Sequence, residues 1–191
     1  GEEYSLVLAA DGYLNDIDEA EVFVTNLSTS LALDKLAESK GSSVVRSAVG
    51  EINVVNKMNE LGSKLGGEGN GGIILREAHL GRDSMVAATM VLNRMSQSSE
   101  SLSEIHQSLP QFEIVKDKVN LEGIDPNQLI KKVSSVFENF ELNTLDGVKF
   151  TWTDQWVHLR KSNTEPIMRI YAEAPNKEQA ENLVHQIQTC L

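Results

Sequence analysis

Cysteine is nearly absent from this chain of 191 residues: Cys190 stands alone, one position from the C-terminus. A single thiol cannot close an internal disulfide and offers no CxxC metal or redox pair, which fits a reducing compartment, and a cytoplasmic location is expected. Histidine is also scarce. His79, His106, His158 and His185 are isolated, without HExxH or other ligand spacing, so no zinc site is expected. No apolar run approaches the ~20 residues of a membrane span, so no membrane partner is expected. Basic residues are too few to match the acidic ones, 17 against 28, for a formal charge of −11. Residues 1–108 carry 8 Lys+Arg against 16 Asp+Glu, and residues 109–191 carry 9 against 12. Such a surface repels a polyanion and no basic stripe interrupts it, which excludes nucleic acid as the expected partner. No Ser-His-Asp set, metal-binding acid cluster or activated cysteine stands out. The N-terminus "GEEYSLVLAA" is acidic where a secretory signal is basic. It opens on Gly rather than Met, as expected of a chain processed, tagged or cut from a longer one.

What is there is an alternation of strand and helix patterns. Residues 2–14 carry a helical apolar period, "EVFVTN" (21–26) reads as a buried strand, and "STSLALDKLAESKG" reads as a helix from a Ser28 N-cap to Gly41. "SSVVRSAVG" is a second strand, "EINVVNKMNELG" a helix ending at Gly62, "GGIIL" a third strand, and a helix follows from Asp83 to about Ser96. This order predicts an α/β domain, with a parallel or mixed sheet and helices, over 1–108. Serine-rich "SQSSESLSE" (96–104) changes the texture, and a boundary is placed near Pro110. Residues 109–191 read as a smaller α+β domain, an antiparallel sheet with helices on one face. Its elements are a strand over 112–120, a helix from Pro126 (Asp125 as cap) to about Phe140, two or three strands over 147–152, 156–161 and 167–173, and a closing helix over 176–190.

Two loops carry chemistry. "WVHLRKSNTEPIMRIYAEA" (156–174) joins two strand-like runs through a donor-rich turn: Arg160, then Ser162, Asn163 and Thr164, then Arg169. Guanidinium forks with several small donors are what a phosphate asks for. The plainer reading is a polar hairpin in which Glu165 neutralises an arginine. "SKLGGEGNGGIIL" (63–75) crowds five glycines into Gly66–Gly72, with Glu68 and Asn70 as the only other side chains there. An acid and an amide on such a frame suit paired sugar hydroxyls, Gly67 and Gly71 lending backbone, and a ligand-free hairpin is the alternative. No Gly-Lys-Ser/Thr follows, so this is not a phosphate-binding P-loop. Gly50 and Glu51, between a strand and a helix, lie where open α/β sheets place ligands, although Glu51 also suits the helix dipole.

The two loops in order, "GGEGNGG" and "RKSNTEPIMR", resemble the C-terminal half of the α-D-phosphohexomutases: the phosphoglucomutases, phosphomannomutases and phosphoglucosamine mutases. "GEEYSLVLAAD", "VGEINVVNKM", "HLGRDSMVAA" and "DGVKFTWTDQWVHLRKSNTEP" are similar to further segments, so the resemblance spans essentially the whole chain. It implies the family's third domain over 1–108, incomplete at its N-terminus or nearly whole, and its fourth over 109–191. It implies sugar contacts for Glu68 and Asn70, and contacts to the non-transferring phosphate for Arg160, Ser162, Asn163 and Thr164, with Arg169 nearby. The family's phosphoserine and Mg²⁺ loop lie upstream of such a segment, so no catalytic or metal-binding residue is expected here. A phosphosugar and the N-terminal domains of the same enzyme are the expected partners. Two positions depart from the family: Asn70 and Gly72 stand where many members have Ser and His. A non-catalytic sugar-phosphate-binding or interaction module on the same scaffold is the alternative.

Overall fold

The computed structural model describes residues 2–123, 125–162 and 164–190. Two compact units divide the chain, Gly1–Gln111 and Phe112–Leu191. Unit 1 runs α1 (Glu3–Asn15), β1 (Val22–Asn26), α2 (Ala32–Ser39), β2 (Ser43–Ser47), α3 (Glu51–Leu61), β3 (Leu65–Glu68), β4 (Gly72–Leu75), α4 (Ser84–Ser96) and α5 (Leu102–Ser108). Unit 2 runs β5 (Glu113–Asn120), α6 (Pro126–Val136), β6 (Glu141–Asn143), β7 (Val148–Thr151), β8 (Trp156–Lys161), β9 (Ile167–Ala174) and α7 (Lys177–Gln188).

Among the described residues, unit 1 holds a four-stranded sheet of order β2-β1-β3-β4. β1 pairs parallel with β2 and β3, and β3 antiparallel with β4. Successive strand residues face opposite ways, so buried Phe23 and Val24 mark two faces of β1. Phe23 meets the Tyr13 ring of α1 edge-on at 6.3 Å. Val24 packs with Val54 and Met58 of α3 and Ile74 of β4. Helices therefore cover both faces, the expected α/β layering. Arg94 of α4 and Asp11 of α1, each under a tenth exposed, form a buried ion pair that ties the two helices.

Among the described residues, unit 2 holds a five-stranded antiparallel sheet of order β5-β9-β8-β7-β6. Register places Val119 against Met168, Leu159 against Ile170 and Val148, and Val157 against Ala172 and Phe150, all on one face. Leu129 and Val133 of α6 join Leu183, Val184 and Ile187 of α7 in that one core, so both helices lie on the expected single face. Cys190 packs at the core's edge.

Three element expectations need correction. Ser28 does not cap the second helix. Asn26 Oδ1 accepts the Ser28 N–H at 2.9 Å, which turns the chain at the end of β1; the helix then begins at Ala32, whose N–H donates to Ser30 Oγ. The "GGIIL" strand is the fourth, because Leu65–Glu68 within the glycine-rich run is itself a strand. The helix expected to reach Phe140 stops at Val136. Phe137 and Phe140 instead turn onto Phe150, and Asn139 between them takes a left-handed φ of 55.

Candidate functional site

In unit 1 the glycine-rich run is a hairpin, and Glu68 ends its first strand. Its side chain is only 4% exposed. Oε1 accepts from Asn26 Nδ2 at 2.8 Å and from the Gly50 N–H at 3.0 Å. Oε2 lies 3.2 Å from Arg82 Nη1. The carboxylate is thus anchored at the carboxyl ends of β1 and β2, where open α/β sheets place ligands. Glu51, the first residue of α3, comes to the same place. Its Oε1 accepts the Arg82 backbone N–H at 3.0 Å and its Oε2 accepts from Arg82 Nε at 2.9 Å. The Arg82 backbone bond first, then its guanidinium, holds the Glu51 carboxyl below the usual carboxylate range.

The structure therefore gathers Gly50, Glu51 and Glu68 into one polar cluster. Asn70, exposed at the hairpin tip, turns its Oδ1 back to accept the Gly72 N–H at 3.3 Å, and its amide nitrogen has no hydrogen-bond partner among the described residues. Gly71 has φ +85, a left-handed conformation that glycine adopts without cost, which closes the turn. Gly67 pairs with Ile73 across the hairpin and is buried; it lends backbone to the sheet rather than to the surface. Thr29 supports the tip from beneath, its Oγ1 accepting the Gly69 N–H at 3.0 Å.

In unit 2, Arg160 of β8 and Arg169 of β9 stand directly opposite each other. Lys118 of β5 stands opposite Arg169 in turn. Leu159, Ile170 and Val119, adjacent in sequence, face the core, so the three cations form a row across the other face. Like charges set opposite one another on a sheet are unfavourable. Carboxylates flank the row: Asp146 takes the Nε edge of Arg160 at 2.9 Å, and Glu165 lies 3.6 Å from Arg169 Nη2. Glu165 thus neutralises one arginine, as the plainer reading of this loop has it, but Arg169 rather than Arg160. Arg160 keeps both terminal nitrogens without a partner among the described residues, the fork that a phosphate takes.

Ser162 follows. Its N–H donates to Ile167 O at 2.9 Å, closing the hairpin and removing that donor from any anion. Its Oγ lies 3.4 Å from both the N and the Oγ1 of Thr164. Asn163 lies outside the described residues. Beside this loop His158, buried, sits with Nε2 2.6 Å from Asp146 O, and burial pushes its pKa down to about 4.

Sequence reading missed Arg82 and Lys118. Arg82 lies ten residues past the glycine run, in a segment with no strand or helix period, and nothing local signals that it folds back on Glu68. Lys118 was legible as a surface residue of a strand, but its place in the cationic row depends on register across three strands.

The model of the phosphoglucomutase/phosphomannomutase alpha/beta/alpha domain III matches residues 1–112, and that of the family's C-terminal domain matches residues 114–189. A phosphoglucomutase/phosphomannomutase of Thermococcus kodakarensis is 34% identical over 178 residues, 92% of this chain and 39% of that protein. A phosphoglucosamine mutase of Methanococcus maripaludis is 31% identical over 183 residues, 94% of this chain and 41% of that protein. The chain thus spans about two fifths of the length of these relatives. Its fold is that of a phosphoglucomutase/phosphomannomutase family protein of Burkholderia thailandensis, with TM-score 0.80 at 21% identity, covering 99% of this chain and 41% of that one. With two consecutive domain models matched across nearly its whole length, the chain belongs to the phosphoglucomutase/phosphomannomutase family.

Proposed function

We propose that this chain is the substrate-holding part of a phosphohexomutase. Such an enzyme interconverts hexose 6-phosphate and hexose 1-phosphate through a phosphoserine and a bisphosphate intermediate. The observation that carries the reading is the row Lys118, Arg169 and Arg160, set side by side next to the Ser162–Thr164 loop in a chain of charge −11. A phosphate bound there relieves the repulsion within the row and takes the Arg160 fork, whose terminal nitrogens have no partner among the described residues. The hairpin of unit 1 holds sugar hydroxyls. Glu51 and Glu68 Oε2 accept, and the amide of the exposed Asn70 donates.

In phosphoryl transfer such residues act by positioning and by stabilising charge. Among the described residues, no three His, Cys, Asp or Glu side chains gather to hold a metal ion. In this reading the Mg²⁺ that the family implies, like the phosphoserine, is supplied by the enzyme's other domains, this chain's partners. The chain alone is expected to show no turnover of a hexose phosphate.

The test is an NMR titration with inorganic phosphate. Amides of residues 160–164 are expected to shift, and Arg160→Ala is expected to weaken binding at least tenfold, the loss of one charge-assisted contact of roughly 1.5–3 kcal/mol. Unchanged affinity in Arg160→Ala, or shifts confined to other residues, refutes the phosphate site.

A further inference from the structure

Gly72 and Arg82 fit together in a way that neither sequence position discloses. A β-carbon on Gly72 would stand 2.3 Å from Arg82 Cδ and 3.0 Å from Cγ, so the arginine stem fills the space that a side chain at 72 would need. Having crossed the bare backbone there, the guanidinium lies between two carboxylates, with Nη1 3.2 Å from Glu68 Oε2 and Nε 2.9 Å from Glu51 Oε2. The two carboxylates differ in access. Glu68 is 4% exposed, whereas Arg82 and Glu51 are 42% and 38% exposed. Arg82 has five N–H donors in a rigid fork. Its Nε–H donates to Glu51, its Nη1 stands in an ion pair with Glu68, and its Nη2 has no partner among the described residues.

Resting on the reading of this hairpin as a sugar holder, we propose that Arg82 is a substrate-binding residue. Its spare N–H groups donate to two neighbouring ring hydroxyls of the hexose, beside the acceptor Glu51, and position 72 is glycine because any side chain there would displace the arginine. The planar fork suits a vicinal pair of oxygens. Charge sets the ligand class. Two carboxylates against one guanidinium leave the cluster net negative, so it accepts a neutral polyhydroxylated ring and turns a phosphate away. Glu68 becomes the inner anchor that aims the arginine, and Arg82 carries the contact out to solvent.

The experiment is a pair of titrations of this chain, with glucose 6-phosphate and with inorganic phosphate. It uses the unmodified protein, Arg82→Ala, Arg82→Lys, Gly72→Ala and the double variant Arg82→Ala/Gly72→Ala. Arg82→Ala is expected to weaken glucose 6-phosphate about tenfold, one charge-assisted contact, and to leave inorganic phosphate unchanged. Arg82→Lys, which keeps charge and stem but not the fork, is expected to show the same selective loss; it decides the matter should the alanine variant fold poorly. Gly72→Ala is expected to match Arg82→Ala and to add nothing in the double variant, because both remove the same contact. Glucose 6-phosphate binding unchanged in the Arg82 variants, equal loss of both ligands, or additive effects of the two substitutions would overturn the proposal. An unmodified chain that binds glucose 6-phosphate no better than inorganic phosphate overturns instead the sugar-holding reading on which it rests.

Discussion

Glu68 has two duties, and truncation separates them. Glu68→Ala removes the acceptor of two inward donors, Asn26 Nδ2 at 2.8 Å and the Gly50 N–H at 3.0 Å, at a side chain only 4% exposed. Each is a hydrogen bond to a charged group, worth roughly 1.5–3 kcal/mol net, so the low end for both gives about 3 kcal/mol. The Arg82 pair, half in solvent, adds less than about 1 kcal/mol. Glu68→Ala is therefore expected to cost unit 1 about 4 kcal/mol. Glu68→Gln keeps one oxygen facing both donors and loses only the charge, for about 1–2 kcal/mol. Both tryptophans, Trp152 and Trp156, lie in unit 2. Urea unfolding of unit 1 is therefore read by backbone amide signals of residues 22–75. With a urea slope of ~2 kcal/mol/M, the alanine midpoint falls by about 2 M and the glutamine midpoint by less than about 1 M. Equal shifts for the two variants, or an alanine shift under about 0.5 M, would refute the anchoring role.

Three further outcomes are expected. His158 is neutral in the fold down to about pH 4 but takes up a proton below about pH 6.5 once unfolded, so unit 2 loses stability as pH falls through that window. The loss reaches about 3 kcal/mol at pH 4, and His158→Gln is expected to flatten that slope in urea melts followed by tryptophan emission. Asp11→Ala leaves Arg94 buried with its main partner gone and should cost about 3 kcal/mol by thermal or urea unfolding; a loss below about 1 kcal/mol contradicts the pair's burial. Lys118→Gln should weaken inorganic phosphate only a few-fold, with a shallower salt dependence, because Lys118 is an exposed member of the cationic row.

Much of this protein is legible in its sequence where local rules govern. Helices ended by Gly41 and Gly62, the helix from about Asp83 to Ser96 and the alternation of Ile167 to Ala172 all express short-range periodicity or capping, and all hold. Local rules failed where distant groups compete. Ser28 is a good helix cap, but Asn26 claims its backbone first. Glycines at 66 and 67 disguise β3, a strand held by pairing with β1 and β4 rather than by side-chain propensity. At the site, the acid, the amide and the arginines were readable as residue types. Their partners were not. That Asp146 flanks Arg160, or that Arg82 crosses Gly72 to reach Glu68, follows only from the packed chain.

The central claim is that unit 1 holds sugar hydroxyls and unit 2 holds phosphate. A titration of the unmodified chain with a hexose 6-phosphate, followed by backbone amide shifts and compared with inorganic phosphate, tests it most directly. The account predicts that inorganic phosphate moves residues 160–164 alone, and that the hexose phosphate moves those and residues 68–72 as well. Identical shift patterns for the two ligands, or none at residues 68–72 with the sugar phosphate, would contradict it.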